Sequence, residues 1–451
     1  MIDKKTLENI TTVIRPSLRF VDLTVIVVSL VIGMGIFRTP AEVAQKAGSY
    51  EVFILAWVTG AIVSMIGAFI FAEVGSAYPR AGGFYQIFSH CYHPAFAFMV
   101  NWITVMSNAA STALVAVMGS EYLAPLLFPE WNHDMTVGLI SALSVLILYF
   151  VNMAGIKVSA KILTVLMVVK ISLLLIMMIS IFVLPEQLES SGVARTGDMG
   201  WIQAFGLCFI PVFFTYGGYQ QTMNFGGDVK VAQRTMPRAI IVGMLLVMVI
   251  YLMVNYAYVH ALGLSGLASS KTIAADINVL LFGEKILPWI SVIMFISVLA
   301  YVNVSVMSNP RIYYAMAQDG VMPATFMKVN SRTQVQQSAL TLFVIFILIT
   351  LYFSRSIGDL LKFVMFFDSI AFMAAAYSIF IFRRRATTSQ KDLFRMRGYP
   401  WLPMFFISVY AIISGVIFYH DPTTALTGFV LFLGGFPLYK LFVSINGNKK
   451  E

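Results

Sequence analysis

The chain has 451 residues, of which 59% are hydrophobic and 11% charged, with a mean hydropathy of +0.84 and a net charge of +9. A soluble protein of this length has no interior large enough to hide so much apolar surface, so the composition excludes a soluble domain and points to an integral membrane protein. The basic excess needs no nucleic acid, because loops facing an anionic leaflet carry the same bias.

The opening residues, MIDKKTLENITTVIRPSLRF, contain no short apolar core followed by a small-residue cleavage site, so no removable signal peptide is expected. Apolar runs long enough to cross a hydrocarbon core of about 30 Å as helices then recur. Twelve are predicted, at 20–46, 52–78, 94–122, 135–153, 158–183, 201–228, 237–260, 286–316, 337–353, 357–382, 400–419 and 424–443. If the N-terminus is cytoplasmic, and basic residues toward span ends are counted with the adjoining loops, 22 of the 30 lysines and arginines, Arg311 among them, fall inside and seven outside, leaving Lys170 deep within a span. That bias predicts both termini cytoplasmic, in a multi-pass protein of the cell's inner (plasma) membrane. The expected organisation is a cytoplasmic segment 1–19, five spans over 20–183, an extracellular loop 184–200, five more over 201–382, a cytoplasmic loop 383–399, two last spans over 400–443 and a cytoplasmic tail 444–451.

The first span carries VIGMGIFRTP, residues 31–40, with Gly33 and Gly35 near its middle and Pro40 close behind. Inside a helix glycine costs about 1 kcal/mol relative to alanine and proline about 3. Close helix packing is one explanation, since small residues recur at membrane helix contacts. The sixth span supplies another, because PVFFTYGGYQQTMNFGGD (211–228) places Gly217 and Gly218 in a matching position five spans later. Paired breaks at that interval predict an inverted repeat of five plus five helices with the solute site where the breaks meet. An unwound turn in lipid strands peptide groups at several kcal/mol each unless a polar cavity serves them. Exposed amides at a half-helix N-terminus suit a carboxylate and freed carbonyls suit an ammonium, so a zwitterionic amino acid fits both.

Between and beyond the breaks lie further polar residues. Asn101, Ser107, Asn108 and Ser111 in the third span, and Asn303, Ser305 and Ser308 in the eighth, read mainly as interhelical hydrogen bonds, with one or two facing the cavity. Lys170, in LMVVKISLLLI, is expensive at mid-membrane, about 2.5–3.5 kcal/mol, and such residues are usually functional. Asp228, Arg234 and Arg238 follow the sixth span as a candidate inner gate. Asp368, in FVMFFDSIAF, is the second deep charge; it would contact a substrate hydroxyl or amine, accept a proton, or link helices.

Four segments together carry a family resemblance: VIGMGIFRTP, YPRAGGFYQIF (78–88), FFTYGGYQQTMNFGGDVKVAQRTMPRAI (213–240) and SNPRIYYAMAQDGVMP (308–323). In order and spacing the chain resembles the amino acid–polyamine–organocation superfamily, and TYGGYQ with FFDS is most similar to its L-type amino acid transporters. The resemblance implies an all-α membrane protein of twelve transmembrane helices in a LeuT-like 5+5 inverted repeat with discontinuous helices 1 and 6. It implies a substrate-binding set of Ile32, Gly33, Met34, Gly35, Ile36, Phe213, Phe214, Tyr216, Gly217, Gly218, Gln220 and Asp368. Within that set the backbone of residues 33–35 would hold the carboxylate and carbonyls around Phe213, Phe214 and Tyr216 the ammonium, while Phe214 would be an aromatic gate. Lys170 would reach the unwound first helix in the space a sodium ion fills in coupled relatives, as a proton-coupling group or a fixed strut. Gln220 stands where many members have an acid, and Met34 where Ser or Ala is frequent.

The expected activity is secondary active, sodium-independent amino acid transport by symport or exchange, and not an enzyme's. A polyamine or cationic amino acid antiporter and a non-transporting nutrient sensor are the alternatives. Cys91 and Cys208 have no metal-ligand spacing, the five histidines are scattered near membrane ends, and no charged ring marks a channel filter. No cofactor or metal is expected. Mammalian L-type transporters join a partner glycoprotein through a cysteine after their third helix; the loop at 121–135 has none, so no such obligate partner is expected.

Overall fold

The computed structural model describes residues 10–11, 13–187, 200–353, 357–385 and 393–447. The first apolar stretch folds as two helices, α1 (Phe20–Val31) and α2 (Gly35–Ala47), followed by α3 (Tyr50–Ala77). Next come the short α4 (Phe84–Cys91) and the long α5 (Pro94–Leu127), α6 (His133–Met153) and α7 (Ile156–Val183). The sixth span is α8 (Trp201–Tyr216) and a 3-10 turn, Tyr219–Asn224. Then follow α9 (Ala232–Ser269), kinked at Gly263, α10 (Ile273–Phe282), α11 (Leu287–Ser308) and α12 (Pro310–Gln318). The chain closes with α13 (Gln337–Phe353), α14 (Ile357–Arg385), α15 (Trp401–His420) and α16 (Pro422–Gly447).

Among the described residues, eleven helical stretches, counting each broken span as one, are long and apolar enough to cross a membrane. With the 17-residue α13, which coincides with the ninth expected span, they make the twelve. Helix starts follow local chemistry. Ser49 accepts from Val52 N ahead of α3, Asn132 Oδ1 from Met135 N ahead of α6, and His93 Nδ1 from Ala95 N with Pro94 next in line. The last two spans are peripheral: 28% and 11% of their most apolar windows are buried, against 89% for α5.

Two helices fall outside the twelve expected spans. In α10, Ile273, Ala274, Ile277 and Asn278 are buried, one face of a helix too short to register as a crossing. In α4 the pattern is less one-sided: Phe84 through Phe88 and Cys91 are buried after a turn in which Gly82 and Gly83 take φ of 108° and 49°.

One face is closed by backbone pairing and buried ions. Ser17 N and Leu18 N donate to Asp228 O at 2.7 and 2.9 Å, and Lys230 N to Leu18 O at 2.9 Å. Residues Ile10–Thr11 pair antiparallel with Val329–Asn330. Asp228 does not pair with Arg234 or Arg238, both of which are exposed. Its carboxylate takes Arg311 Nε at 2.6 Å and Nη2 at 2.9 Å, while Arg311 also donates to Met307 O and lies over the Phe225 ring. Arg311, counted from sequence among loop cations, is thus buried within α12, a polar partner the apolar pattern did not disclose. Likewise Arg383 belongs to α14 and is bidentate to Glu73 at 2.7 and 2.8 Å, and Glu73 also accepts from Met396 N.

Removing one member of a buried pair leaves the other charge uncompensated, at about 3–5 kcal/mol. Arg311→Met should therefore lower the thermal unfolding midpoint sharply, and Asp228→Asn added to it should recover much of the loss. A double variant no more stable than the single would show that the pair is not coupled.

Candidate substrate site

Both glycine pairs sit at helix breaks. At Ile32 (φ −75°, ψ 81°) the chain leaves the α region, and α2 restarts at Gly35. Ile32 N and Gly33 N still bond back, to Val28 O and Val31 O at 2.8 Å each. The amides of Met34, Gly35 and Ile36 have no protein acceptor among the described residues, and α2 has no side-chain cap. These are the orphan donors of a helix N-terminus, its positive end. On the other strand of the site α8 stops at Tyr216, with Gly217 extended (φ −70°, ψ 170°) and Gly218 at φ 109°, ψ −31°. Of its last carbonyls, Phe214 O accepts from Gly217 N at 3.1 Å. A helix C-terminus, the negative end, thus lies beside the positive one.

The two breaks are in contact, and glycine is what permits it. A Cβ on Gly218 would stand 2.1 Å from Leu30 O, and one on Gly35 would stand 2.9 Å from Thr215 Oγ1. Thr215 and Thr39 share a hydroxyl hydrogen bond at 2.6 Å across the same junction. Other freed groups are taken up by protein: Lys170 Nζ donates to Ile32 O at 2.5 Å, Tyr251 Oη to Val31 O at 3.0 Å, and Gly218 N to Gln220 Oε1 at 2.8 Å.

A cavity of about 40 Å³, the room of a few water molecules, opens between the breaks. Its wall includes Gly33, Met34, Gly35, Phe213, Phe214, Gly217, Gly218, Gln220 and Asp368 from the sequence-derived set. Ile32, Ile36 and Tyr216 lie off that wall. Ile32 and Ile36 are buried in the core, with the Ile32 carbonyl committed to Lys170. Tyr216 packs edge-on to Trp57 at 5.9 Å and against Tyr251 at 5.1 Å. Lys170 is fully buried and contacts the break without lining the cavity.

Asp368 is the one charged side chain on the wall among the described residues, and its carboxylate has no hydrogen-bond or ion-pair partner there. Gln221 Oε1, also on the wall, is buried without a donor. Of the polar residues flagged in the third and eighth spans, only Asn108 and Ser111 reach the cavity. Asn108 accepts from Gln221 Nε2 at 3.1 Å and donates to Asn309 Oδ1 at 2.6 Å, while Ser111 shares a hydrogen bond with Tyr301 Oη at 2.9 Å. Ser305 pairs with Thr112, Ser308 with Asn224, and Asn303 with Asn152 and Ser159, all as helix links. Asn101 bonds its own helix at Ala97 O, and Ser107 Oγ has no partner. Tyr301, Val115 and Phe372 also line the cavity and carry no sequence signal, since an isolated aromatic or aliphatic residue in an apolar span reads as core; Gln221, next to Gln220, is a further wall residue outside the sequence-derived set.

Two interrupted helices whose opposite dipole ends share a cavity define a membrane transporter of the LeuT-like class. A family model described as amino acid permease matches residues 18–437, and the chain belongs to that family. It is 24% identical to the serine/threonine exchanger SteT of Bacillus subtilis (strain 168) over 92% of this chain and 94% of that protein. It is 24% identical to the human cystine/glutamate transporter (93% of this chain, 83% of that protein) and 25% to the mouse large neutral amino acids transporter small subunit 2 (93% and 79%).

Gly218→Ala combines a positive φ with a clash on Leu30 O, and should cost about 1–3 kcal/mol or more. Gly206→Ala in α8, where a Cβ meets nothing within 4 Å, should be neutral or slightly stabilising. Equal melting of the two variants would contradict the close approach.

Proposed function

We propose that the protein moves a zwitterionic amino acid by alternating access, with the α-carboxylate on the amides of Met34 and Gly35 and the α-ammonium at the C-terminal carbonyls of α8. The observation that carries this reading is that the unbonded amides at the start of α2 and the C-terminal end of α8, with opposite dipole ends, meet on one cavity. Because that cavity is smaller than an amino acid, loading requires its walls to part. Phe214, partly buried on the wall, is the gate that swings in this scheme. The similarity to a serine/threonine exchanger supports exchange, and the site chemistry is equally suited to proton symport.

Lys170 stands for the coupling cation. Its ammonium already serves the loosened Ile32 carbonyl, which supports sodium independence. Asp368 reads the substrate side chain, since an unpaired acceptor on the wall favours side chains that donate. The basic bias supports cytoplasmic termini, in a multi-pass protein of the inner (plasma) membrane. The first ten spans form the two repeats, 20–183 and 201–382, and 400–443 lies outside them. No obligate partner glycoprotein takes part, consistent with the absence of cysteine from 121–135.

Uptake into liposomes should be unchanged when sodium is replaced by potassium; dependence on sodium would contradict the role given to Lys170. An inward proton gradient that speeds uptake in wild type and not in Lys170→Ala assigns coupling to that residue. Gradient-insensitive counterflow leaves it a fixed strut within an exchanger.

For Asp368 the informative comparison is between isosteres. Wild type should prefer threonine to valine by roughly tenfold or more in counterflow, and Asp368→Asn should shrink that ratio several-fold while transport persists. An unchanged ratio would remove Asp368 from side-chain recognition.

A further inference from the structure

A second cavity, of about 650 Å³, lies away from the substrate site, where the N-terminal segment meets the α6–α7 turn and the turn at 331–334. Five cations line it: Arg15, Arg19, Lys157, Lys230 and Arg332. All are exposed, and none forms an ion pair among the described residues. Among the described residues no carboxylate lines the cleft. The two nearest in sequence are occupied elsewhere, Asp22 by the Arg19 amide at 2.9 Å and Asp228 by Arg311.

A general preference for basic residues on one face explains their number and not their convergence. Like charges brought into one concave site repel, and low-dielectric walls focus their field. The cleft is also built by hydrogen bonds between distant segments. Arg15 N donates to Gln334 Oε1 at 3.0 Å, and Ile156 N donates to Thr333 O at 3.1 Å. Neutral donors, Ser17, Ser331 and Thr333, stand among the cations, and α7 begins there without a side-chain cap. Arg19 and Lys157 flank the first residues of membrane helices α1 and α7, which sets the cleft at the depth of lipid headgroups.

We propose that this cleft binds a phosphate-bearing anion, held between the N-terminal segment and the turns at 154–158 and 331–334, and that the bound anion clamps this face of the transporter closed. The inference is independent of the substrate assignment. A bridging polyanion offsets the mutual repulsion of the five cations, and it ties the segment leading into the broken α1 to the ends of helices that flank it. Depth favours the headgroup of an anionic phospholipid over a free phosphate, and the two sources separate in the test.

The test uses the full chain in nanodiscs of phosphatidylcholine alone, or with one-fifth phosphatidylglycerol. Wild type should melt about 3 °C higher with the anionic lipid, an increment that fades at high salt. The combined variant Arg15→Gln, Lys157→Gln, Arg332→Gln should lose most of it. A control of equal charge loss, Lys328→Gln, Arg395→Gln, Arg397→Gln, should keep it. Millimolar inorganic phosphate added to phosphatidylcholine discs identifies a soluble ligand if it reproduces the rise, and the headgroup if it does not. An increment retained in the cleft variant, lost equally in the control, or absent from wild type with both lipid and phosphate overturns the proposal.

Discussion

Peptide groups cannot be left bare in hydrocarbon, and the whole site follows from how that demand is met at two broken helices. Each break frees donors and acceptors. Some are answered by the protein itself: the Ile32 carbonyl by Lys170, the Val31 carbonyl by Tyr251, the Gly218 amide by Gln220. The amides of Met34, Gly35 and Ile36 are not answered, and Met34 and Gly35 line the same small space as the C-terminal end of α8. In the proposed reading, what the protein leaves unsatisfied here is taken up by the carboxylate and the ammonium of the substrate. Gly35 and Gly218 make this possible by letting the two backbones touch, since side chains at either position would drive them apart.

Charge is distributed in keeping with that design. The central cavity presents one acidic side chain, Asp368, in a wall otherwise made of backbone, amides, hydroxyls and apolar groups. Opposite charges closer to the ends of the helices are used in pairs that hold helices together: Asp228 with Arg311, Glu73 with Arg383, and Arg38 with Glu121 at 2.7 Å between α2 and α5. The first is well buried and stakes several kcal/mol on remaining paired, the second is partly buried, and the third, about a third to two-fifths exposed, contributes little by itself.

Much of this was legible in the sequence because the strongest signals were violations of local rules. Glycine pairs in apolar runs, a lysine and an aspartate at mid-span, and twelve hydrophobic stretches each stand out against a uniform background, and they locate the breaks, the bound carbonyl of Ile32 and the cavity wall. Where a residue obeys the local pattern it gives no such signal. Tyr251 and Tyr301 read as core, yet one satisfies the first break and the other lines the cavity. Which cation meets Asp228 depends on the packing of α12 against a loop 83 residues earlier, and nearness along the chain favours the wrong arginines. The helix α10 was invisible for another reason, being shorter than the bilayer is thick.

The most direct measurement of the central claim is an experimental structure of the protein with a bound amino acid, at a resolution that shows backbone carbonyls. The account predicts interrupted helices at 32–34 and 217–218, with substrate carboxylate oxygens within about 2.7–3.2 Å of the amide nitrogens of residues 34 and 35. Unbroken α-turns through both glycine pairs, or an amino acid bound with its carboxylate elsewhere, would contradict it.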